Sequence, residues 1–265
     1  MEQIDLKTLT LSVCDIAKRA GSFIRQERTR FHAERIERKH AHDYVSYVDK
    51  QSEQFIVAQL RDLFPQAGFI TEEGSATHAN EQYCWVIDPL DGTTNFIHQF
   101  PPYAVSIALM KGQSIIVGVV YEICADECFW AWQGGGAWLN GKPIGVSRSA
   151  IEDALLCFQL PYNSDAYSPV AQSLIRQFYG RAASIRMMGS AAIALCYVAA
   201  GRLDGYAEKY LGPWDFMAGA LIVSEAGGQC TDFAGTSRFP KGNSIVASNG
   251  NIHQELLEAL SCHAV

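Results

Sequence analysis

An apolar run, Trp85-Val86-Ile87, leads directly into Asp88-Pro89-Leu90-Asp91-Gly92-Thr93-Thr94-Asn95-Phe96, and this junction constrains the chain more than any other stretch. Val86 and Ile87 read as the end of a buried strand that Pro89 stops. Asp88 and Asp91 are then left on the turn with nothing nearby to neutralise them. Gly92 lets the backbone come close to a ligand, and Thr93-Thr94 opens a short helix whose free N–H groups favour an anion. Carboxylates that hold hard cations, beside a helix start that holds phosphate, point to metal-assisted phosphoryl chemistry at the end of a strand.

The rest of the chain supplies layers around that strand. Leu6, Leu9, Val13, Ile16, Ala17, Ala20 and Ile24 recur at helical spacing over residues 5 to 28. Phe55, Ile56, Leu60 and Leu63 repeat the pattern from Asp49 to Phe64, where Pro65 and Gly68 end it. Phe69-Ile70 then starts a strand that delivers Glu72 and Glu73. From 83 to 132 the reading is strand-rich: 83–87, 104–110, 114–121 and 127–132, with Lys111-Gly112-Gln113 a hairpin turn. Gly134-Gly135-Gly136 and Asn140-Gly141-Lys142-Pro143 read as turns; the glycine triplet lacks the Lys-Ser/Thr and helix of a phosphate loop. The second half alternates strands (155–159, 184–187, 204–208, 244–248) with helices (168–179, 190–200, 213–226, 250–260), which predicts a layered α/β arrangement. Residues 1–150 are expected as an N-terminal α+β half and 151–265 as a C-terminal α/β half, together one structural unit.

Composition narrows the partners. A net charge of −7 over 265 residues argues against direct binding to nucleic acid or an anionic membrane, but not against an anionic substrate met through metal ions. No apolar run reaches the ~18 residues of a membrane span, and the N-terminus MEQIDLKTLT lacks the features of a signal peptide, so the expected location is cytoplasmic. The eight cysteines are scattered without a C-x-x-C pair, mostly in apolar contexts such as Leu156-Cys157-Phe158, and read as reduced structural thiols; Cys124 and Cys128 flank a hairpin turn. His40 and His42 read as surface residues rather than zinc ligands, and His98 lies just past the acidic turn without a defined role.

Asp-Pro-Leu-Asp-Gly-Thr-Thr-Asn-Phe resembles the first signature of the inositol monophosphatase family. Far downstream, Trp214-Asp215-Phe216-Met217-Ala218-Gly219 followed by Glu225-Ala226-Gly227-Gly228 is similar to its second signature, with Met217 where alanine is usual. The resemblance runs from about Lys39 to Gly250. It implies an αβαβα sandwich of the inositol monophosphatase and fructose-1,6-bisphosphatase type, with the site where the two halves meet. It implies two or three Mg²⁺ ions, held by Glu72, Asp88, the Leu90 carbonyl, Asp91 and Asp215. It further implies direct attack of metal-activated water without a phosphoenzyme, lithium sensitivity and a homodimer.

The resemblance also distributes roles. Asp43 to Asp49 is similar to the family's Asp-Leu-Val-Thr-x-x-Asp segment, so Asp49 would orient the Thr93 hydroxyl, which with Glu72 positions and deprotonates the water. Read alone, Asp49 is a helix N-cap. Asp91, Gly92, Thr93, Gly189, Ser190, Ala191, Glu208 and Asp215 would meet the substrate, with Glu208 accepting hydrogen bonds from vicinal hydroxyls. Ser190 is equally a good N-cap. Glu73 is either a solvated acid or a water-mediated ligand, Lys39 a solvated lysine or a site neighbour, and Trp214 a packing residue. The expected substrate is a small polyol or sugar monophosphate, foremost myo-inositol monophosphate. The sister activities on 3′(2′),5′-bisphosphate nucleotides, fructose 1,6-bisphosphate and histidinol phosphate are the rivals, and Thr93-Thr94-Asn95-Phe96, which resembles the inositol branch, favours the inositol ester over them. A regulatory protein that binds the RNA-synthesis machinery on the same fold is the non-enzymatic alternative.

Overall fold

Trp85, Val86 and Ile87 alternate between two different cores, and that alternation sets the layering. The computed structural model describes residues 4–30, 36–40, 43–76, 82–160, 164–237 and 243–260. A short antiparallel pair, β1 (Ile36–His40) and β2 (Asp43–Ser46), leads into the main body. The larger sheet has seven strands in chain order: β3 (Ala67–Thr71), β4 (Tyr83–Asp91), β5 (Ala104–Lys111), β6 (Ser114–Glu122), β7 (Glu127–Trp132), β8 (Ala137–Leu139) and β9 (Lys142–Ile144). Among the described pairings of this sheet, β3 and β4 run parallel and the others antiparallel. The second sheet orders β11 (Ser184–Arg186), β10 (Leu155–Phe158), β12 (Gly205–Leu211), β14 (Asn243–Ser248) and β13 (Gln229–Thr231).

One face of the larger sheet, with Trp85, Ile87, Ile107 and Val119, packs against α1 (Leu6–Arg28) and α2 (Tyr47–Leu63). The opposite face, with Val86, Ala108, Val120 and Phe129, packs against α5 (Ala191–Ala199) and α6 (Pro213–Glu225). Those two helices also carry Tyr206, Ile245 and Ala247 of the second sheet, whose outer face joins α4 (Ser164–Phe178) and α7 (His253–Leu260) through Leu156, Phe158, Val246 and Leu256. The result is helices, sheet, helices, sheet, helices: the αβαβα sandwich. Because α5 and α6 are covered on both sides, they are apolar all round, as a fully buried helix must be.

Several elements depart from the sequence reading. Pro89 does not stop its strand: β4 continues to Asp91 through a bulge between Asp88 and Asp91 opposite β5, and the bulge absorbs the missing donor. Asp49 is not the N-cap of α2; Ser46 is, and Asp49 completes a capping box three residues on. Helix α4 begins at Ser164, placing Pro169 inside it, and α7 begins later than expected, at His253. Strands β1, β2, β8, β9 and β13 were not anticipated, being three to five residues long. The glycine triplet is a turn, tied down by the Glu225 carboxylate, which accepts from the amides of Gly134 and Gly136 at 2.8 Å each. Among the described residues the cysteines are unpaired; Cys124 is exposed and the other six are buried. Cys262 and His42, and the side chains of Lys39 and His40, lie outside what is described. No helix among the described residues is long and apolar enough to cross a membrane.

Candidate active site

The bulge in β4 turns two carboxylates toward the same place. Leu90 N donates to Asp88 Oδ1 at 2.9 Å, fixing the first. Asp91 reaches across to the second half of the chain, where its Oδ2 accepts from Ser190 Oγ at 2.5 Å and from Ala192 N at 2.9 Å. Asp91 thereby caps α5 from outside, alongside the local N-cap Ser190. The backbone at Ser190–Ala192 is therefore engaged first by this aspartate. Asp215 sits in the first turn of α6 and accepts from Gly212 N at 2.6 Å, where the helix dipole also favours a carboxylate. Carboxylate oxygens of Asp88, Asp91 and Asp215 lie within 4.8 Å of one another.

Glu72 follows β3, next to β4, and its amide donates to Ile87 O at 3.2 Å. It faces Asp88 closely enough for its charge to raise the Asp88 pKa, second only to burial. Asp88 and Asp215 are both held well above the usual carboxylate range by burial and then by neighbouring carboxylates, while Asp91 is pushed up by burial to about 6, against its hydrogen bonds to Ser190 and Ala192. The cause is physical: like charges gathered in a low-dielectric cleft resist ionising together unless a cation intervenes. Among the described residues, no lysine or arginine lines this cleft of about 360 Å³. The donor set consists of oxygens, which suits Mg²⁺ better than a softer metal.

Beside the carboxylates, the Thr93 hydroxyl lies 3.0 Å from both Asp49 Oδ1 and the Leu90 carbonyl, although it has one proton to give. Asp49 is buried and held by Ser46 through its amide and hydroxyl, at 2.9 and 2.6 Å. Burial raises its pKa while those hydrogen bonds and Thr93 oppose the rise. On the far wall Glu208, whose Oε2 accepts from the Tyr206 hydroxyl, is pushed up to about 8 by burial. Gly92 and Gly189 meet between the halves. Both have left-handed φ, +87° and +72°, and a Cβ at Gly189 would stand 2.8 Å from Asn95 Oδ1. Asn95 spans the same seam by donating to Pro102 O and Met188 O at 2.8 Å each.

The structure thus brings Glu72, Asp88, Leu90, Asp91, Gly92, Thr93, Gly189, Ser190, Ala191, Glu208 and Asp215 to one cleft, with Asp49 directly behind Thr93. Glu73 does not line it, nor does the exposed His98. Trp214 packs on the central core, with its carbonyl accepting from Ser106 Oγ at 3.1 Å. Sequence reasoning missed Glu53, whose fully buried carboxylate accepts from Glu73 N at 2.7 Å and Ser75 N at 2.8 Å and so anchors the loop bearing Glu72. A lone glutamate in an amphipathic helix gives no signal; only its place on the apolar side among Ile56, Val57 and Leu60 could have raised the question. Asn95, Leu160 and Tyr210 were also missed as wall residues.

The model of the inositol monophosphatase family matches residues 5–264. A Pseudomonas aeruginosa protein named Nus factor SuhB is 41% identical over 257 residues, 93% of each chain. An inositol-1-monophosphatase from Rhizobium meliloti is 40% identical over 220 residues, covering 82% of this chain and 83% of that one. The crystal structure of the extragenic suppressor protein suhB from Bartonella henselae superimposes with a TM-score of 0.89 at 36% identity, over 96% of this chain and 98% of that one.

Proposed function

The chain belongs to the inositol monophosphatase family, and from that membership we propose that it is a Mg²⁺-dependent hydrolase of small phosphate monoesters, with myo-inositol monophosphate as the leading substrate. The observation that carries the reading is the acidic cleft itself, which gathers Glu72, Asp88, Asp91 and Asp215 with no lysine or arginine among its described lining residues. Such a cleft repels a phosphate on its own and attracts it once cations are held there.

Glu72, Asp88, the Leu90 carbonyl, Asp91 and Asp215 would hold two or three Mg²⁺ ions. Bound there, magnesium supplies charge neutralisation for the phosphate, acidification of water and stabilisation of the leaving alkoxide. The remaining work falls to the chain. Asp49 takes the Thr93 proton into its hydrogen bond, which leaves the Thr93 oxygen lone pairs to accept from the attacking water, and Glu72 receives the proton. Glu208, partnered by Tyr206, orients the polyol hydroxyls. Ser190 and Ala192 hold Asp91 in place, so the two halves of the chain share one carboxylate.

Phosphate release from inositol 1-phosphate, fructose 1,6-bisphosphate, 3′-phosphoadenosine 5′-phosphate and histidinol phosphate, with and without Mg²⁺, tests this. Preference for the inositol ester that vanishes without metal and in Asp215→Asn supports it; a winning nucleotide moves the chain to the sister activity. The name carried by the P. aeruginosa relative, Nus factor SuhB, favours a second reading in which the same fold docks onto the transcription machinery. Co-purification with RNA polymerase that survives in Asp215→Asn, in the absence of phosphatase activity, would select it.

A further inference from the structure

Gln159 lies outside both sequence signatures, yet it lines the cleft while being only 6% exposed. It follows β10, which runs parallel to β12 with Phe158 opposite Ala207. Both of those side chains enter the outer core, so strand alternation sends the next pair, Gln159 and Glu208, to the cleft side. Gln159 N donates to Ala207 O at 3.3 Å and keeps the two strand ends together at that point. Neighbouring strands stand ~5 Å apart, so the two side chains leave their strands side by side at about that spacing.

One end of the Gln159 amide is engaged. Its Oε1 accepts from Met188 N at 3.1 Å, and because that partner is a donor, the oxygen has to face it. Nε2 therefore points away from Met188, and it makes no hydrogen bond among the described residues. Thr71 Oγ1, Trp85 Nε1, Tyr103 Oη and Tyr167 Oη are buried without a partner; Nε2 instead opens onto the cleft that Gln159 lines. Three other side-chain donors of the lining are already engaged: Thr93 by Asp49 and Leu90 O, Asn95 by Pro102 O and Met188 O, and Ser190 by Asp91. A hydroxyl has one proton to give and two lone pairs to fill. Placed between the two side chains at ~2.8 Å from each, it would donate to Glu208 and accept from Gln159 Nε2, a reach that matches the strand spacing of ~5 Å.

We infer that Gln159 is a specificity-determining residue, whose Nε2 donates to the same ring hydroxyl that Glu208 accepts from. It thereby favours phosphate monoesters that carry such a hydroxyl over esters that have none. The inference rests on the cleft being a phosphomonoesterase site, and deepens that reading.

The test compares kcat/KM for inositol 1-phosphate with that for 4-nitrophenyl phosphate, which has no hydroxyl on its ring, in the full-length protein, Gln159→Glu and Gln159→Met, all with Mg²⁺. Gln159→Glu keeps an oxygen for Met188 N and loses the amide protons, whereas Gln159→Met is neutral and loses both functions. The charge added in Gln159→Glu repels both phosphates alike, and the ratio of the two esters cancels it. That ratio, inositol ester over nitrophenyl ester, is expected to fall by about tenfold in both variants, mainly through KM. A glutamine that only supports the Met188 turn would slow both esters in parallel in Gln159→Met and leave the ratio where it was. A ratio unchanged in either variant overturns the inference. If the wild-type protein hydrolyses neither ester, it is the phosphatase reading that fails. Equilibrium binding of inositol 1-phosphate with Mg²⁺ then decides the role of Gln159 separately: weaker binding by both variants than by wild type sustains it, and equal binding, or none by any of the three, overturns it.

Discussion

The C-terminal end of β4 and the C-terminal end of β12 face each other across the cleft and are built on opposite plans. At β4 every polar group is tied: Asp88 to Leu90 N, Asp91 to Ser190 and Ala192, and Thr93 to Asp49, which Ser46 holds in turn. At β12 Glu208 is tied to Tyr206, and Tyr210 at an irregular edge makes ring contacts with Tyr167 and Lys209. Groups that perform chemistry have to be held closely in place, so many constraints converge on them. A cleft wall outside that carboxylate cluster tolerates looser support. The difference teaches that the wall at β12 can change without disturbing the carboxylates at β4.

Breaking the β4 side should have the largest effect. Asp88→Asn is expected to lower phosphate release by at least about 10³-fold, measured at saturating Mg²⁺. The same variant should raise Tm in metal-free buffer at neutral pH. A carboxylate whose folded pKa is raised contributes stability at low pH that is lost as the pH rises through that pKa, so above it the folded state bears the charge at a cost. Mg²⁺ should then raise Tm in the wild type more than in the variant. A Tm unchanged or lowered by the substitution would argue against mutual repulsion in the cleft.

Glu53 sharpens the comparison, because it acts on Glu72 without lining the cleft. In Glu53→Gln the amide group would face one of the two backbone donors. The Mg²⁺ concentration for half-maximal activity should rise on the order of tenfold. A purely structural glutamate would lower Tm and leave that half-saturation where it was.

The seam between the two ends can be strained directly. Gly189→Ala combines a left-handed φ with a Cβ 2.8 Å from Asn95, which is held by two carbonyls. Destabilisation of roughly 1–3 kcal/mol is expected in denaturant unfolding, with activity falling alongside. The smallest effect lies far from both ends. His253 is buried between the hydroxyls of Thr231 and Ser248, each 2.9 Å from a ring nitrogen, and burial pushes its pKa down to about 4. Its folded pKa lies below the unfolded value, so stability is full above about pH 6.5 and falls as pH drops toward 4, by ~1–2 kcal/mol after solvent screening. Unfolding free energies of His253→Gln should show a shallower decline over that window.

Much of this site was legible because its residues cluster in short segments whose chemistry is local. Asp88, Asp91 and Thr93 lie within one turn, Asp215 follows a proline that starts a helix, and Ser190 reads as a cap. The bulge that carries β4 past Pro89 was not legible, since it depends on the partner strand β5. Asp49 looked like an N-cap because Ser46 does the same job three residues earlier and sequence alone does not rank them. The three-residue strands β8, β9 and β13 are too short for periodicity to register and exist through pairing with their neighbours.

By itself the sequence determined which residue types could perform the chemistry and which layers had to be buried, because carboxylate spacing and apolar periodicity are properties of neighbouring residues. Tertiary structure alone decided that Asp91 caps a helix about a hundred residues away, that Glu53 anchors the Glu72 loop, and that Tyr210 turns onto the cleft wall. Each of these depends on elements distant in the chain packing side by side, and the hydrogen bonds and ring contacts they form exist only once the five layers have closed.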